Sequence, residues 1–180
     1  NIAKELAKYH EVILFIPNNT DLNLPFRIMQ FSKKSFFEIA ENANCIILQG
    51  YTLWNYPFIK KLKIPIVVDL YDPFIFEELE VNYYSPNYRN INHKRALSAI
   101  LDQLKAGDYF ICASEKQKDF WLGMLTAVNR ITPNEYIIDK TMKSLIGITP
   151  FGLESRVPVK TEFVLKGVYP GIKEHDKVII

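Results

Sequence analysis

Two kinds of run alternate along this chain. Short unbroken apolar stretches, "EVILFIP", "LPFRIMQF", "NCIILQG", "IPIVVDLYD", "DYFICAS" and "LIGITPFG", are rich in Ile, Val and Phe and end in Pro, Ser, Asp or Gly, which predicts buried strands. Between them lie stretches with helical spacing. "NIAKELAKYH" opens the chain, and "SKKSFFEIAENA" carries apolar residues at 36, 37, 39 and 40 behind a Ser that suits an N-cap. "TLWNYPFIKKLK" reads as a helix that tolerates Pro57 near its start, and "FIFEELE" as a short acidic helix followed by a polar aromatic loop, "NYYSPNYRN". "INHKRALSAILDQLKAG" has one apolar stripe, Ile91, Ala96, Leu97, Ile100, Leu101 and Leu104, with Gly107 placed to cap it. "EKQKDFWLGMLTAV" is the last helix expected.

Unbroken apolar strands alternating with helices describe a parallel sheet covered on both faces, so the expected fold is α/β, a Rossmann-like open doubly wound sheet. A closed eight-unit barrel needs about 250 residues and more units than are present. Residues 1–156 are expected to form this domain. After Gly152 the pattern dissolves into a stretch broken by Pro and Gly, and 157–180 reads as a linker closing on a fresh strand, "DKVII". The opening helix has no strand before it, so the expectation is an excerpt of a longer protein.

Composition narrows the class. The 180 residues are 48% hydrophobic and 13% aromatic, enough for a full core. A net charge of +2 without a basic block gives no footprint for nucleic acid, and none is expected as a partner. Cys45 and Cys112 each sit in an apolar stretch and behave as small hydrophobes, which fits a reducing, cytoplasmic compartment. No apolar run approaches the roughly 20 residues of a membrane span. Peripheral contact with a membrane stays open, with "NYYSPNYRN" and Lys60, Lys61 and Lys63 as the candidate side.

In open α/β sheets ligands bind beyond the carboxyl ends of the strands. That rule selects Pro17, Asn18 and Asn19, Gln49, Gly50 and Tyr51, Asp69, Tyr71 and Asp72, Ser114 and Glu115, and Pro150, Phe151 and Gly152. Asp69, by strand alternation, shares a face with Val67 and Tyr71 and has no evident capping role, so it is the carboxylate available as a general base or hydroxyl acceptor. Asp72, before Pro73 and an acidic helix, equally suits a cap. Ser114 and Glu115 read as an N-cap with an acidic first turn, and the surrounding "CASEKQ" lacks the Gly pattern of a nucleophile elbow. Gly152 is expected to take a positive φ. His10, His93 and His175 have no ligand spacing, so no metal is expected, and neither a G-x-G-x-x-G nor a G-x-x-x-x-G-K-[ST] loop is present.

The block "AGDYFICASEKQKDFWLGMLTAVNRITPNEYIIDKTMKSLIGITPFGLE", followed by "VLKGVYPGIKEHDKVII", resembles the first half of bacterial GT-B glycosyltransferases of the retaining, sugar-nucleotide-dependent group 4 kind. The resemblance covers roughly residues 2 to 180 and is most specific around "CASEKQKDFWLG" and "PFGL". It implies an acceptor-side N-terminal domain whose first strand is missing, and a donor-binding C-terminal domain beyond the excerpt. A nucleoside-diphosphate sugar would be the donor substrate, with no further cofactor, and a glycan or lipid-linked saccharide the acceptor. Asp69, Tyr71 and Asp72 become the candidate catalytic residues, and Asn18, Gln49, Tyr51, Ser114, Glu115 and Gly152 the acceptor-binding ones. The family's His-Asp pair falls on Tyr71 and Asp72, so any role needing an imidazole is in doubt. The alternative is a non-catalytic Rossmann-like binding or scaffold domain.

Overall fold

A computed structural model describes residues 2–81, 83, 86–153, 157, 159 and 162–178. The protein is α/β. Its strands are β1 (Ile13–Ile16), β2 (Arg27–Gln30), β3 (Ile46–Gln49), β4 (Ile66–Asp69), β5 (Tyr109–Cys112) and β6 (Ile146–Ile148). Its α-helices are α1 (Ile2–Leu6), α2 (Lys33–Ala40), α3 (Thr52–Asn55), α4 (Phe74–Val81), α5 (Pro86–Ala106), α6 (Glu115–Ala127) and α7 (Pro133–Ile138). All strand pairs are parallel. The strands form a four-stranded sheet in the order β3-β4-β5-β6 and a separate β1-β2 pair, where the sequence pattern predicts one continuous sheet.

The core follows from the predicted periodicities. On β4, Ile66 and Val68 are buried together with the following Leu70, while Val67 and Asp69 on the other face are only partly covered. On α5 the buried face is Ala96, Ala99, Ile100, Gln103 and Leu104; Ile91, assigned to the stripe from sequence, is exposed. Trp121 and Leu125 of α6 and Phe110 of β5 complete one cluster with Leu53 and Ile59. The β1-β2 pair joins that cluster through aromatic contacts, Phe15 on Phe36 at 5.3 Å and Phe31 on Tyr56 at 4.4 Å between ring centres.

Several local expectations change. "TLWNYPFIKKLK" is two elements: α3 ends at Asn55, capped by Tyr56, and Pro57 begins a 3-10 turn, Pro57–Lys61, because proline can open a helical turn but cannot continue one. "NYYSPNYRN" is not a loop throughout, since Pro86 opens α5, while residues 82, 84 and 85 lie outside the described residues. Cys112 is buried as expected, but Cys45 precedes β3 and is exposed. The unanticipated α7 carries a readable signal, Thr132 as N-cap, Pro133 at the first position and Glu135 three residues after the cap. In "DKVII", Asp176–Val178 form no strand, and residues 179 and 180 lie outside the described residues. Among the described residues, no helix is long and apolar enough to cross a membrane.

Candidate functional site

The carboxyl ends of β3, β4 and β5 bring most of the sequence-selected residues to one edge. Gln49 is in register with Asp69, and Asp69 with Ile111, so three strand ends stand side by side. Asp69 is partly buried, and its Oδ1 accepts the Tyr71 amide at 3.0 Å. Burial pushes the Asp69 carboxyl above its ordinary range, and the Tyr71 N–H opposes that only in part. The same burial raises the neighbouring Cys112 thiol, whose Sγ donates towards the carbonyls of Ser114 at 3.7 Å and Gly147 at 3.6 Å. That thiol therefore stays protonated near neutrality.

Tyr71 is held from two sides. Its ring meets Phe151 edge-on at 4.4 Å between centres, and its carbonyl accepts from Gln117 Nε2 at 2.8 Å. Gln117 Oε1 meanwhile accepts the Ala113 amide at 2.7 Å, so one side chain ties the loop after β4 to the end of β5. Ser114 caps α6, as its position in the sequence predicts, with Oγ accepting the Gln117 amide at 3.3 Å. Glu115 occupies the first turn of α6, where a negative charge opposes the helix dipole.

A second polar group adjoins the end of β3. Gly50 has φ of +58°, a turn that needs glycine here, and its carbonyl accepts from the buried Gln103 Nε2 at 2.5 Å. The following Tyr51 donates its hydroxyl to Glu78 at 3.0 Å, stacks on Phe74 at 4.8 Å, and lies under the Arg95 guanidinium at 4.9 Å. Desolvation, then the Glu78 hydrogen bond, pushes the Tyr51 phenol up to about 12, so it remains a donor.

Three expected residues stand apart from this arrangement. Asn18 follows β1 in the other strand pair and is exposed. Asp72 lies beside Glu77, whose carboxyl it raises by charge repulsion and a shared hydrogen bond, so Asp72 forms a carboxyl pair there. Gly152 is exposed and does not have the positive φ expected of it; with open space around it, a side chain would be accommodated. Conversely, the sequence reading missed Gln117, Arg95, Glu78 and Gln103. Gln117 alone had a local signal, the Ser-x-x-Gln spacing of a capping box, whereas the others reach the edge from helices distant in sequence. Among the described residues no group of three His, Cys, Asp or Glu side chains is placed to hold a metal.

Compared with protein-family models, curated proteins and solved structures, the chain matches none.

Proposed function

We propose that this chain is the acceptor-side half of a retaining GT-B glycosyltransferase that moves a sugar from a nucleoside-diphosphate sugar to a glycan or lipid-linked acceptor at the cytoplasmic side of a membrane. The observation that supports the reading best is the Asp69 edge. A carboxylate whose affinity for protons is raised by burial stands at the mouth of a parallel sheet, beside the Tyr71–Phe151 aromatic pair. Such a carboxylate accepts hydrogen bonds from acceptor hydroxyls, and the aromatic pair supplies an apolar surface for a sugar ring. Catalysis on this reading is positioning, with the departing diphosphate stabilised by donors of a second domain. Residues 1–180 alone are therefore expected to be inactive.

A scaffold remains the competing reading, favoured by Tyr71 standing where the resembling enzymes carry an imidazole. One assay separates the two. The native-length protein is incubated with a panel of nucleoside-diphosphate sugars, and release of the nucleoside diphosphate is measured with residues 1–180 as control. Release by the native-length form alone supports the transferase. Neither release nor donor binding by that form overturns it in favour of the scaffold.

A further inference from the structure

Arg130 and Arg95 each lie over an aromatic ring, and they differ in what their N–H groups do. Arg130 sits 6.0 Å from the Phe110 ring centre and also donates from Nη1 to the Lys105 carbonyl at 3.2 Å. Arg95 lies closer to its ring, 4.9 Å from the centre of Tyr51, and among the described residues it makes neither an ion pair nor a hydrogen bond. It is exposed. A ring face offers a guanidinium no oxygen, so the N–H donors of Arg95 are left for water or for an oxyanion.

The ring beneath it is fixed. The Tyr51 hydroxyl donates to Glu78, its ring packs on Phe74, and the residue before it is pinned through the Gly50 carbonyl by Gln103. Gln103 Nε2 also donates to the Ala99 carbonyl at 3.3 Å. Both partners of that nitrogen are acceptors, which sets the orientation of the amide, and the side chain is 1% exposed. Arg95, Ala99 and Gln103 are spaced four apart on α5, so one ridge of this helix holds the turn after β3 at both Gly50 and Tyr51. Arg95 is thereby kept beside the carboxyl end of β3, where Gln49 stands in register with Asp69. A cation already held by packing loses less freedom on engaging a ligand than a solvated one. The charges around it leave it unneutralised: the Tyr51 phenol, pushed up to about 12, is uncharged near neutrality, and Glu78 accepts from that phenol without pairing with Arg95.

We propose that Arg95 is an anion-recognition residue of the acceptor crevice, pairing its guanidinium with an oxyanion, phosphoryl or carboxylate, borne by the acceptor saccharide. The identity of the ligand as an acceptor rests on the transferase reading above; the anion site itself needs no transfer step. A guanidinium takes two oxygens of such a group at once through parallel N–H···O bonds, which fixes orientation as well as position. With the charged end on Arg95, the rest of the ligand lies along the strand ends towards Asp69, whose carboxyl suits a hydroxyl rather than a second anion.

The test is a residue-resolved NMR titration of the native-length protein with glucuronate, inorganic phosphate and, as the uncharged control, glucose. It is read at the Arg95 Nε–Hε signal and at the Gly50 and Tyr51 amides. At least one of the two oxyanions is expected to shift these signals with an affinity at least about tenfold above that of glucose, the scale of one charge-assisted pair. Which oxyanion binds more tightly separates a carboxylate-bearing acceptor from a phosphorylated one. In Arg95→Gln, with folding checked by thermal melting, the preference should disappear at the Gly50 and Tyr51 amides. Arg95→Lys should keep only part of it, because an ammonium is a point charge without a fork. The proposal is overturned if neither oxyanion binds at these signals more tightly than glucose, or if the preference survives Arg95→Gln. That result leaves the transferase reading standing, whereas an intact anion preference in a protein that releases no nucleoside diphosphate removes the transferase and keeps the site.

Discussion

Replacing Gly107 by alanine isolates one packing constraint. A Cβ at this position would lie 2.7 Å from Phe110 Cε1, 2.9 Å from Phe110 Cζ and 2.7 Å from Val68 Cγ2. Phe110 and Val68 are both 0% exposed, so neither can swing aside into solvent. Inserting one methyl group into such a core costs about 1–3 kcal/mol, and the lower chain entropy of unfolded alanine returns roughly 0.4–1 kcal/mol. The expected net loss is about 1–2 kcal/mol, or a fall in Tm of about 2–8 °C for a domain of this size. Urea unfolding followed by the fluorescence of the buried Trp121 reads it. Phe110→Leu removes the Cε1 and Cζ atoms, so in that background Gly107→Ala should cost less by at least about 0.5 kcal/mol. A cost identical in both backgrounds, or no cost at all, would refute the packing argument.

Two other substitutions probe the candidate site. Asp69→Asn keeps an acceptor for the Tyr71 amide and removes a charge that burial disfavours. Because the folded pKa of Asp69 lies above the unfolded value, wild-type stability from this group is fully present below about pH 4 and lost as pH rises through the folded pKa. The variant should therefore gain on wild type at pH 7 and lose that advantage near pH 4 in paired thermal melts; an advantage that grows on acidification contradicts the assignment. Gln117→Ala removes the bonds to Ala113 and to the Tyr71 carbonyl and should cost about 1–3 kcal/mol in denaturant unfolding. Its hydrogen exchange should rise at Tyr71 and Ala113 first, and an unchanged pattern would show that the tether carries no weight.

The fold was legible where one local rule decides the outcome. Continuous apolar runs marked every strand found among the described residues, and Ser32 and Ser114 marked helix starts that their side-chain hydrogen bonds bear out. Gly107 was read as a helix cap from its position, but what requires glycine there is the approach of Phe110 and Val68, a contact between elements that spacing along the chain does not reveal. The positive φ expected at Gly152 is found instead at Gly50, where Gln103 from a distant helix holds the turn carbonyl. The division of the strands into two sets was hidden for the same reason, since an apolar run shows that a strand is buried but not which strands flank it. At the site, strand-end position found Asp69 and Tyr71, while the partners that hold Tyr51, Glu78 and Arg95, arrive from α4 and α5 and leave no pattern beside it.

The most direct test of the transferase reading compares wild-type and Asp69→Asn native-length protein in the nucleoside-diphosphate-release assay, with stability at the assay pH checked by thermal melting. The account predicts a loss of rate of about 100-fold, the scale expected when the reacting hydroxyl is no longer held in place, in a variant that melts no lower than wild type. Wild-type release that survives the substitution undiminished would contradict a role for the Asp69 edge in the reaction.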